Sequence, residues 1–198
     1  MPDSFAATFA MWAIMMVAMM LPSVAPTILA FAAVQRRSKS AFAAAADAML
    51  FAAGYFALWT IFSLVATAAQ WGLAKAQLLS PEMTITSTIL GAALFIAAGG
   101  YQFTAMKVTC LAKCRAAQLP VEPRRAPLIM GLEHGVACVG CCWVLMTLLF
   151  VFGVMNLLWV AAVALYVLVE RLYVRGPNAA AVAGLVMVAS GVLIFILE

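Results

Sequence analysis

The chain has 198 residues, of which 68% are hydrophobic and 9% charged, and its mean hydropathy is +1.13. Soluble domains carry roughly 45–50% apolar and about 25% charged residues, so this composition excludes a water-soluble core. The net charge of +4 does not suggest a nucleic-acid partner.

Six apolar stretches follow in chain order, to be judged against the ~20 residues that a ~30 Å hydrocarbon layer demands. The first covers 5–34. It reads as a retained helix, because Met1 to Thr8 carries no basic residue and Asp3 as its one charge. Pro22 and Pro26 interrupt it and predict a kink, and Arg36, Arg37 and Lys39 close it. The second, 48–71, has Asp47 at one interface and Gln70 with Trp71 at the other. The third, 84–108, follows the break at Ser80-Pro81 and leads into a polar loop, 109–127. The fourth is 128–152, and Gly153 to Asn156 reads as a tight turn into the fifth, 157–169. Glu170 and Arg171 read as a solvated pair at that helix end, before the sixth stretch, 179–197.

The expectation is an all-α chain: a single domain over 1–198, folded as a polytopic transmembrane helix bundle of about six spans. With this span count, ten of the eleven basic residues fall on one side and only Lys75 on the other. The positive-inside rule makes the crowded side cytoplasmic and puts both termini outside. Trp12, Tyr55, Trp59, Trp71 and Trp159 are candidates for interfacial belts, whereas Trp143 is too deep and is expected to pack at a site.

The chemistry concentrates in the fourth stretch. At ~100° per residue, taking His134 as the origin, Cys138 falls near 40°, Cys141 near −20° and Cys142 near 80°. The only histidine and three thiols therefore share one arc, about 12 Å long, too extended for one mononuclear site. Subsets of this set can form half a site, completed by ligands from another helix. Gly131, Gly135 and Gly140 would let such a helix approach closely. A second source of soft ligands is the first stretch, where five of the 13 methionines lie between Met11 and Met20. Met11, Met15 and Met19 form a stripe at i, i+4, i+8, and thioether with thiolate selects Cu(I) over hard cations. A third source is Cys110 with Cys114, an i, i+4 pair among Lys107, Lys113 and Arg115, expected to be accessible and reactive. The candidate metal ligands are thus His134, Cys138, Cys141, Cys142, Met15, Met19, Cys110 and Cys114. The spacing of the five cysteines suits shared helix faces better than a disulfide framework.

These elements resemble a bacterial family of predicted metal-binding integral membrane proteins, a domain of unknown function. The matching residues are Trp12-x-x-Met15-x-x-Ala18-Met19-Met20-x-Pro22, Gly54-Tyr55-x-x-x-Trp59, Tyr101-Gln102, and Lys107-x-x-Cys110-Leu111-x-x-Cys114-Arg115. They continue with Gly135-x-x-Cys138-x-Gly140-Cys141-Cys142-Trp143-x-Leu145-Met146, Gly153-x-Met155-Asn156 and Glu170, covering roughly 10–171. Glu170-Arg171 stands where the family pattern has Glu-Lys, which keeps the charge. The resemblance implies a multi-pass protein of the bacterial inner membrane.

The leading expectation is an integral membrane protein that binds a soft transition metal, Cu(I), for handling, transfer or transport. Its surroundings would be the lipid bilayer, a metal-donating or metal-accepting protein, and in some cases a second copy of itself. No P-loop or ATPase motif supplies energy for pumping. Three alternatives stand beside it: a membrane thiol-redox enzyme, a haem-type electron carrier using Cys or Met as an axial ligand, and a structural subunit.

Overall fold

The computed structural model describes residues 4–80, 84–116, 125–172 and 177–197. Pro81, Arg124 and Arg175, and residues 117–124 of the loop expected over 109–127, lie outside the described residues, whereas 109–116 are helical rather than loop. Eight α-helices account for nearly all of what is described: α1 (Phe5–Gln35), α2 (Ala41–Lys75), α3 (Thr88–Tyr101), α4 (Ala105–Ala116), α5 (Pro127–Thr147), α6 (Leu149–Phe152), α7 (Leu157–Leu172) and α8 (Pro177–Ile196).

Local chemistry sets the helix limits. Ser4 and Ser40 cap α1 and α2, each accepting an N–H bond from the third residue on, and α2 therefore starts well before the expected residue 48. Pro127 occupies the first turn of α5, where its missing N–H costs nothing. Gly153, at φ 89°, ends α6 in a conformation that suits glycine, and Asn156 Oδ1 accepts the Leu158 N–H at 3.1 Å to start α7. α1 is one helix through Pro22 and Pro26.

The third stretch is not one straight helix. α3 and α4 are bent by 62° at the break between Tyr101 and Ala105. Thr104 makes the break: its hydroxyl donates to the Tyr101 carbonyl at 2.8 Å and accepts the Lys107 N–H at 3.2 Å, so one side chain closes α3 and opens α4.

Polar side chains turn inward and large apolar ones outward. Ile14, Phe42, Met49, Leu157, Leu165 and Leu193 are exposed, while Ser63, Thr67, Gln70, Lys107, His134, Glu170 and Arg171 are buried. A soluble protein does not expose this much contiguous apolar surface, and a lipid-facing one does. The chain is an all-α transmembrane bundle. Helices α1, α2 and the continuous Pro127–Phe152 are long and apolar enough to cross a membrane, and the bent pair α3–α4 makes a fourth span if counted as one. A count of six adds α7, of 16 residues, and α8, whose described part Ala180–Ile196 is also shorter than a full span.

The closest packing joins α2 to α5, α3 to α8, α1 to α2 and α4 to α5. A Cβ at Gly131 would collide with the Phe51 carbonyl, and one at Gly54 with the Leu128 carbonyl, so the α2–α5 backbones touch at these two glycines.

Candidate metal centre

Three sulfurs meet inside the bundle. Those of Cys114, Cys138 and Cys141 lie within 4.8 Å of one another, and all three residues are buried. Cys114 Sγ and Cys141 Sγ are 4.0 Å apart. Cys138 and Cys141 share the inner face of α5, as their spacing requires. The third sulfur comes from α4, which the bend turns onto α5. Along α4, Lys107, Leu111 and Cys114 point inward at i, i+4, i+7. Gly140 makes room: a Cβ there would sit 2.8 Å from Cys110 Sγ. The Tyr101 hydroxyl also bonds the Gly140 carbonyl and ties the end of α3 to α5.

The spacing suits a soft ion. Thiolate–metal bonds of about 2.3 Å place three trigonal sulfurs about 4.0 Å apart, so this set closes on an ion with small side-chain shifts. Three buried thiolates, joined by no carboxylate among the described residues, favour copper or another soft metal over a hard cation.

The remaining expected ligands take other places. Cys142 is buried, and its thiol, like that of Cys141, donates to the Cys138 carbonyl, but its sulfur stands outside the three-sulfur set. Cys110 is half-buried and one turn before Cys114. Cys114, expected to be accessible among its basic neighbours, is instead wholly buried. His134 Nε2 lies 3.0 Å from Arg171 Nη2. A guanidinium only donates, so this nitrogen spends its lone pair there, and the proton sits on Nδ1, which has no partner among the described residues. Met19 is buried and Met15 half-buried, both packed in the core with the fully buried Met16 and Met20.

Residues that the sequence placed at interfaces build the surroundings. Arg171 is 1% exposed. Its Nη1 donates to Ser23 Oγ at 2.9 Å, to Tyr55 Oη at 3.5 Å and to Cys138 Sγ at 3.2 Å. Tyr55 Oη is itself 3.1 Å from Cys138 Sγ. Glu170, also buried, pairs with Lys107 at 2.7 Å, accepts the Tyr166 hydroxyl at 3.0 Å, and offers its backbone carbonyl to Arg115. The solvated Glu170–Arg171 pair is therefore corrected: each residue turns inward to a different partner. Trp143 is corrected too; it is 41% exposed and lies edge-on to Tyr101 rather than at the sulfurs. Trp12, Tyr55 and Trp59 are core residues rather than belt residues, and Trp12 Nε1 donates to Gln70 Oε1 at 2.6 Å. The one signal for these buried partners was ionisable residues next to apolar helix, which in a membrane calls for a partner.

The family model of PpoB2, described as a copper chaperone, matches residues 9–194. The chain belongs to this family. No match is found among curated proteins or solved structures. The family's description and the buried three-sulfur set agree: together they support copper binding by a membrane protein.

Proposed function

We propose that the chain is a membrane carrier for Cu(I), which binds as cargo to the thiolates of Cys114, Cys138 and Cys141 and passes to an acceptor protein. The observation that carries this is the convergence of three buried sulfurs from two helices at a spacing that a trigonal soft ion fits. Cu(I) rather than Cu(II) follows from the donor set, since three thiolates in a dry pocket stabilise the softer, lower-charged ion. Transfer proceeds by ligand exchange. A donor atom of the acceptor binds the ion as one Cys–Cu bond breaks, with no change of oxidation state and no pumping motif required.

Six spans in a bacterial inner membrane, with both termini outside, complete the reading and rest on the basic-residue bias. The haem-carrier and scaffold alternatives have no observation in their favour. The thiol-redox alternative has one, the 4.0 Å approach of Cys114 and Cys141.

Elemental analysis and Cu(I) titration of the anaerobically purified full chain test the proposal. One Cu(I) per chain is expected, lost on Cys→Ser at 114, 138 or 141 and kept on Cys142→Ser. Copper uptake unchanged in Cys138→Ser with Cys141→Ser would exclude this site. A Cys114–Cys141 disulfide formed reversibly in copper-free protein would favour redox chemistry.

A further inference from the structure

We propose that Arg171 is the positioning residue of the copper site, holding Cys138 as a ligand and supplying the counter-charge for the loaded thiolates. The proposal rests on Cys114, Cys138 and Cys141 being the ligands. A guanidinium stays protonated under all ordinary conditions, and burying it at 1% exposure without an opposite charge is costly. Its partners are two hydroxyls, an imidazole nitrogen and one sulfur. No carboxylate is among them, because both oxygens of the adjacent Glu170 are engaged by Lys107 and Tyr166. Three thiolates around a monovalent ion carry a net charge of −2, and Cys138 Sγ is the one such ligand that Arg171 touches. The loaded site therefore supplies the negative charge that the guanidinium otherwise lacks.

The geometry makes the contact selective. Nη1 is tethered to Ser23 on α1 and Nη2 to His134 one turn before Cys138 on α5, so the planar fork is fixed from both sides. His134 thus acts as a prop for Arg171. Lys107 does not substitute for it, since its charge is spent on Glu170. Hydrogen bonds to a metal-bound sulfur orient it and tune its donation, and losing such an outer partner typically lowers metal affinity by about 10–100-fold.

The test uses the full chain in detergent, loaded anaerobically with Cu(I), with affinity read by competition against a Cu(I) chelator. The second readout is the position of the thiolate-to-copper charge-transfer band. Arg171→Met, which removes charge and donors, is expected to weaken binding by about 10–100-fold and move the band to lower energy. Arg171→Lys, which keeps the charge, is expected to recover most of the affinity. A merely structural Arg171 would lower thermal stability but leave both readouts of the folded protein unchanged, and that result overturns the proposal. Should Arg171→Met fail to fold, Arg171→Gln decides in its place: weakened binding supports the counter-charge, and wild-type binding overturns it. Copper binding that is lost in Cys138→Ser but indifferent to Arg171 overturns this inference alone. A wild-type chain that takes up no Cu(I) overturns the ligand assignment and this inference with it.

Discussion

The Lys107–Glu170 pair offers the sharpest test of how the site-bearing helix α4 is held. Both side chains are almost fully dehydrated, at 1% and 3% exposure, and the charges meet at 2.7 Å. Removing one partner of such a pair strands a buried charge and costs about 3–5 kcal/mol. Lys107→Met should therefore destabilise the copper-free chain by about that much, and Glu170→Leu by a similar amount. Replacing both by apolar residues leaves no stranded charge, so Lys107→Met with Glu170→Leu should cost less than Lys107→Met alone. Lys39–Asp47 provides the comparison: its side chains are 43% and 17% exposed, and Lys39→Ala should cost no more than about 1 kcal/mol. Unfolding in mixed micelles by a denaturing detergent, followed by helical circular dichroism, measures all four variants. A double variant whose loss equals the sum of the two single losses, or a Lys107→Met loss below that of Lys39→Ala, would refute the reasoning.

Gly131→Ala should destabilise the bundle by about 2 kcal/mol or more, since its methyl group would enter the Phe51 carbonyl, whereas Gly72→Ala, which meets nothing within 4 Å, should be neutral or slightly stabilising in the same assay. Met15→Leu with Met19→Leu should leave Cu(I) affinity unchanged, because the three thiolates already complete a trigonal set; weaker chelator competition would add α1 to the ligands. A cysteine introduced by Lys39→Cys should react with an impermeant maleimide only after cells are opened, and one introduced by Ala76→Cys should react in intact cells. The reverse pattern would invert the topology.

Much of the fold was legible because a membrane bundle writes its helices as apolar stretches, and each expected stretch holds a helix. The break in the third was not, since it depends on a Thr104 side chain diverting backbone bonds within an otherwise apolar run. On the site, helical arithmetic set Cys138 and Cys141 on one face, and the glycines announced close approach. Cys114 was misjudged because its basic neighbours suggested an interface. The inward stripe Lys107, Leu111, Cys114 was visible in the spacing, but only the bend explains why that face is buried. Arg171 was hidden for a different reason. Its partners lie 33 to 148 positions away, on three other helices, and no local pattern encodes such distances.

The separation of Lys107 from Glu170 by 63 positions also has a consequence for synthesis. At ~5–20 residues per second, the lysine leaves the ribosome about 3–13 s before its carboxylate does. For that interval α4 carries an unneutralised ammonium, which a bilayer interior rejects, so the helix must wait at the headgroup level. Cys114 waits with it. The arrival of α7 then draws α4 inward, so a nascent chain brings its three sulfurs together near the end of translation.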